Sequence, residues 1–99
     1  MKTIRLECKD IEYLSAIDED QFFGWLDKIE CIDDITGIGD TLYLTINSEF
    51  SDENLREIIA LFSRYQVEMT QLQKLLTDDN RHWFYENKES YWQDDVFCT

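Results

Sequence analysis

The 99-residue sequence contains no proline and only three glycines, Gly24, Gly37 and Gly39. That excludes a linker-rich architecture and leaves few places where the backbone enters left-handed conformations freely. Long apolar runs are missing too. The longest, Ile58–Phe62, has five residues, far short of the ~20 that a membrane-crossing helix needs. The first nine residues alternate apolar and polar side chains instead of building the apolar stretch of a secretory signal, so a cytoplasmic protein is expected. Cys8, Cys31 and Cys98 form an odd, widely spaced set, the pattern of reduced thiols in a cytosol. Positive charge is in short supply: nine Lys and Arg face 22 Asp and Glu, a net charge of −13. Such a field repels nucleic acids and anionic membranes and attracts basic proteins, although acidity alone also keeps a protein soluble.

What the sequence does contain is a core. Hydrophobic residues make up 43%, fourteen of the residues are aromatic, and a chain of this length has room for one domain, residues 1–99. Thr3–Lys9 reads as a strand, with Ile4, Leu6 and Cys8 on one face. Residues 10–17 read as a connector anchored by Ile11, Tyr13, Leu14 and Ile17. A helix is expected from an Asp18 cap with Gln21 at N3, and with an Ile17–Phe22 staple across that cap. Phe22, Leu26 and Ile29 share its buried face, and Gly24 marks close approach to another element.

Cys31–Gly37 and Asp40–Asn47 read as two strands joined at Gly37-Ile38-Gly39-Asp40. Leu42, Leu44 and Ile46 point inward, and Asp33-Asp34 predicts a bulge or a splayed edge in the first strand. Ser51 caps the next helix, which carries Leu55, Ile58, Ile59, Phe62 and Tyr65 at helical spacing, with a Phe50–Leu55 staple. A short helix is expected over Met69–Leu76, burying Leu72, Leu75 and Leu76. Another is capped by Thr77 with Asp78 and Asp79 in its first turn. Asn87 then breaks or recaps the chain. The order β-α-β-β-α-α-α gives an α+β domain: a three-stranded antiparallel sheet with helices packed on one face.

Candidate chemistry is thin. His82 and Glu86 stand at i, i+4, yet the helical zinc motif needs a second histidine and there is none. Cys8, Cys31, Cys98 and His82 include no chelating pair, so neither metal nor cofactor is expected. A reactive cysteine needs an electropositive surrounding that this sequence lacks. Gly37-x-Gly39 is a turn, since no lysine follows it into a helix. Adjacent carboxylates such as Asp33-Asp34, Asp78-Asp79 and Asp94-Asp95 point in different directions on regular elements, the pattern of solvated faces. An enzyme is not expected.

The densest segment is His82–Thr99, with six aromatics and four carboxylates. Trp83 or Phe84, and Phe97, are assigned to the core. Tyr91 and Trp92, followed by Asp94 and Asp95, are candidates for contact with lysine and arginine, because rings stack on guanidinium and carboxylates pair with it. Asp33, Asp34 and Asp40 are the second candidate contact group.

Leu55-Arg56-Glu57-Ile58-Ile59-Ala60-Leu61-Phe62, Arg64-Tyr65, Met69 with Gln71-Leu72, Asp79-Asn80, Trp83-Phe84, Tyr91-Trp92 and Val96-Phe97 together form a pattern over about half of the chain. It resembles that of small acidic bacterial immunity proteins of polymorphic and contact-dependent growth inhibition toxin systems, although Gln66 stands where a glycine helix stop would be expected. The resemblance implies an inhibitor of a toxin domain, often a nuclease; the net charge independently suits charge-complementary occlusion of a basic one, and a monomer is expected over a dimer. Two other readings fit the acidity. A secretion chaperone would be a stable dimer, and a DNA mimic blocking a nuclease, restriction or CRISPR complex would carry acids in rows at phosphate-like spacing.

Overall fold

The computed structural model describes residues 3–97. Strands β1 (Thr3–Lys9), β2 (Ile32–Ile38) and β3 (Thr41–Asn47) form an antiparallel sheet in the order β1-β3-β2. Helices α1 (Ala16–Lys28) and α2 (Asp52–Arg64) are followed by a 3₁₀ helix (Thr70–Leu75) and two short helices, α3 (Arg81–Phe84) and α4 (Gln93–Phe97). The α+β class, the antiparallel sheet and the order β-α-β-β-α are those read from the sequence; after α2 come a 3₁₀ helix and two short helices where two helices were expected.

Alternation explains the sheet. Leu6, Cys8, Leu44 and Ile46 turn inward and are buried, whereas Arg5 on the opposite face lies 4.0 Å from the centre of the Tyr43 ring. β2 and β3 meet through the two-residue loop Gly39-Asp40, in which only Gly39 has positive φ, +62°. That is the pattern of a type II′ hairpin turn, whose first position favours glycine. The register slips between Ile32 and Asp34, so the bulge predicted at Asp33-Asp34 is there.

α2 is held at both ends. The Ser51 hydroxyl accepts from Asn54 N and the Asn54 side chain accepts from Ser51 N, a reciprocal cap. At the other end Gln66 takes φ +56° and the Val67 amide donates to Phe62 O at 2.9 Å. This is the stop glycine usually supplies, formed here by glutamine, with Val67 sealing it from inside. Between the ends Leu55, Ile58, Ile59, Leu61 and Phe62 are fully buried, each worth about 1.5–3 kcal/mol of burial.

Four local expectations need correction. α1 begins at Ala16 with Ser15 as its cap, not at an Asp18 cap. Ser15 Oγ accepts from Asp18 N, which puts Asp18 in the first turn. Ile17 is therefore 70% exposed and makes no inward staple. Nothing lies within 4 Å of a Cβ built at Gly24, so that glycine marks no close approach. The helix expected from Thr77 starts only at Arg81; a turn comes first, in which the Thr77 hydroxyl accepts from the Asn80 amide and the Asn80 side chain accepts from the Thr77 amide. Leu76 is only half-buried.

The last third of the chain is fastened by amides. Gln71 bonds both the N–H and the carbonyl of Glu7, Gln73 donates to Val96 O at 2.7 Å, and buried Gln93 donates to Tyr85 O at 2.8 Å. These bonds hold the 3₁₀ helix along the outer edge of β1 and α4 against the 3₁₀ helix.

Candidate functional site

Every Asp and Glu except half-buried Asp18 is exposed. Among the described residues the one ion pair joins Arg81 Nε to Glu86 Oε2 at 3.3 Å. Four of the nine cations, Arg5, Arg56, Arg81 and Lys88, lie over rings. Arg56 lies 4.1 Å from the Trp83 ring centre, Arg81 4.8 Å and Lys88 5.4 Å from that of Tyr85. The negative surface is therefore left largely uncompensated by the protein's own side chains.

The residues singled out from sequence do not form one site. Strand order is the reason: β3 is central, so β2 is one edge of the sheet, while β1 with the 3₁₀ helix and α4 forms the other. Asp33 and Asp34 open β2 and, with Asp27 from α1, line a shallow hollow of about 240 Å³. Asp40 sits at the far end of the same strand, roughly 20 Å away at 3.3 Å per residue. There the Thr41 hydroxyl donates to Asp40 Oδ1 at 3.0 Å and the Asp10 amide donates to Asp40 O at 3.0 Å. The Thr41 bond, with a further one from Asp10, holds the Asp40 carboxyl below the usual range. Asp40 and Glu19 line a separate hollow of about 230 Å³ at the hairpin tip, beside Tyr13 and Phe23.

At the C-terminal end Tyr91 is 67% exposed, and Asp94 and Asp95 occupy the exposed first turn of α4. Trp92 is the correction here. Its ring is 8% exposed, 5.5 Å from Phe84 and 6.0 Å from Trp83, in a cluster that Phe97 extends. It is a packing residue, because the chain turns at 90–92 so that consecutive rings point to opposite sides.

Comparison of the chain with protein-family models, curated proteins and solved structures finds no match. Its own residues carry the rest.

Cys8 and Cys31 are buried, and burial pushes their thiols up to about 12 and about 11 respectively, which keeps them as unreactive thiols at neutral pH. Cys98 lies outside the described residues. His82 is exposed, and the Glu86 carboxylate beside it turns to Arg81. Among the described residues no three His, Cys, Asp or Glu side chains are placed to hold a metal ion, and no helix is long and apolar enough to cross a membrane. The largest groove, about 790 Å³ between α1 and α2, has Trp25 and Ile29 beside charges of both signs, and the Trp25 indole donates to Glu57 at 2.9 Å.

Sequence reasoning missed Leu14 and Ile17, taken as inward anchors but 86% and 70% exposed. A signal was present. Counted from a Ser15 cap, Ile17 precedes Phe22 by five residues and stands about 140° around the axis from the buried face.

Proposed function

We propose that this chain is a non-enzymatic, cytoplasmic immunity protein, monomeric in solution, that binds and neutralises a basic toxin domain, a nuclease being the best fit. One observation carries the reading: 22 carboxylates against nine cations, with a single ion pair among the described residues. A nuclease concentrates positive charge where it holds phosphates, and an anionic body can occlude that cleft by charge complementarity. Steering by such a field raises association toward about 10⁸–10⁹ M⁻¹s⁻¹ at low salt, which suits capture of a toxin before it cuts. Tyr91, Asp94, Asp95, Asp33, Asp34 and Asp40 are the exposed groups offered for contact, on separate patches.

The test takes the C-terminal domain of the large exported protein that this reading expects in the neighbouring reading frame, a domain expected to be basic. Expected are suppression of its nuclease activity at equimolar ratio, an association rate that falls steeply with NaCl, and weaker binding by Asp94→Lys/Asp95→Lys with an unchanged melting curve. Undiminished cleavage, or affinity equal at low and high salt, would overturn the reading.

A further inference from the structure

The most conspicuous apolar surface lies outside every group considered so far. Leu14 and Ile17 are, at 86% and 70%, the most exposed large hydrophobic side chains among the described residues. Single exposed hydrophobes are ordinary. Two of them three residues apart, on a segment fixed by its own hydrogen bonds, are not.

That segment is rigid by construction. Asp18 Oδ2 accepts from the Leu14 amide at 2.9 Å, Ser15 Oγ accepts from the Asp18 amide at 3.1 Å, and the Tyr65 hydroxyl donates to Asp18 Oδ1 at 3.0 Å, tying the turn to the end of α2. On the approach, Ile11 and Tyr13 pack against the core, with the Tyr13 ring 5.5 Å from Phe22. The backbone is thus held where Leu14 and Ile17 project, and little conformational entropy remains to be lost when they are covered. The carboxylates of Glu12, Glu19 and Asp20, all exposed, lie within three residues of Leu14 or Ile17 in the chain. Beside Leu14 opens a hollow of about 550 Å³ bordered by Glu12, Arg64 and Tyr65.

We propose that Leu14 and Ile17 are the apolar anchors by which this chain grips a basic polypeptide partner, an inference that rests on the function proposed above and adds a contact centre to it. The arrangement is that of a binding hot spot: a dry apolar centre supplies residence time, and a charged rim supplies orientation and rate. The rim's sign selects the occupant. A complementary surface has an apolar socket edged with lysine and arginine. A second copy of this chain would bring Glu12, Glu19 and Asp20 against their like on two bodies of charge −13, which repel.

The experiment compares the unaltered chain with Leu14→Ser/Ile17→Ser for binding to the same adjacent-frame domain by surface plasmon resonance, alongside melting curves and sedimentation of each protein alone. Expected are an affinity loss of about 30-fold or more, carried by faster dissociation, with association changed less than about threefold and melting unaltered. Affinity within about threefold of the unaltered chain overturns the anchor assignment and leaves the proposed function standing. Absence of binding by the unaltered chain overturns both. A homodimer that the double substitution dissociates also overturns the assignment, in favour of self-association.

Discussion

Asp18 shows how one side chain can set the orientation of its neighbours. Its carboxylate accepts from the Leu14 amide and from the Tyr65 hydroxyl. The Leu14 bond, then the Tyr65 bond and the charge of Arg64, hold its carboxyl below the ordinary value in spite of partial desolvation. A carboxyl depressed in the fold contributes stability that is fully present above its unfolded value, near 4, and lost as pH falls through the folded one. Asp18→Asn keeps an acceptor and removes the charge. It is therefore expected to melt at lower temperature than the unaltered chain at pH 7, the gap narrowing as pH falls below the unfolded value and through the folded one, as melting curves between pH 2.5 and 7 would show. Asp40 and Glu68 are depressed in the same direction, but they titrate in both proteins and cancel in the difference. A gap independent of pH would assign the effect to shape alone. The same residue explains a misreading. Ser15 and Asp18 are both good cap formers, and choosing Asp18 places Ile17 inward, whereas choosing Ser15 turns it out. Local sequence does not decide between them; the bond to Tyr65, 47 residues away, does.

Among the elements, β3 and α2 were readable because their signals are local: strict alternation in one, a cap with helical spacing in the other. Of the sheet's two edges, only that of β2 was, through Asp33-Asp34. β2 exposes an edge blunted by a bulge at Asp33-Asp34. β1 is protected differently, by a side chain standing in for a strand: the Gln71 amide accepts from Glu7 N at 2.7 Å and donates to Glu7 O at 2.7 Å, and Lys74 Nζ donates to Arg5 O. No periodicity announces a glutamine that pairs with a backbone 64 residues earlier. Gln71→Ala leaves the Glu7 amide and carbonyl to water and is expected to cost about 1–2 kcal/mol, one modest hydrogen bond at each group. Urea denaturation gives the loss, and amide exchange localises it, with protection falling at Glu7 before it falls at Leu6 or Leu44. Unchanged exchange at Glu7 would show that the edge is covered without Gln71.

At the scale of the molecule, the expected contact residues are exposed, Trp92 apart, and lie on separate patches. Exposure of Asp33, Asp34, Asp40, Asp94 and Asp95 follows from being acidic. Their dispersal over two edges and both ends of the sheet follows from the order β1-β3-β2, which sequence does not encode locally. What does act collectively is charge. A body of 38 × 31 × 21 Å carries −13, with one ion pair among the described residues. Many of these carboxylates must sit within a Debye length of one another in dilute buffer, since that length is ~30 Å at 0.01 M and ~5 Å near 0.5 M by the same scaling. Their mutual repulsion opposes the compact state and is relieved when the chain expands. Sodium chloride should therefore stabilise the fold. Raising it from 10 mM to 0.5 M is expected to add on the order of 1 kcal/mol, about 4–8 °C in Tm for a domain of this length. Chloride is the salt to use, because sulfate strengthens apolar burial by itself and would mimic the result. The same titration should weaken the complex with a basic partner, so fold and complex respond to salt with opposite signs. A Tm that is flat or falls between those concentrations would mean that the acids are spaced too widely to repel, and the field invoked to draw a cationic partner would fail with it.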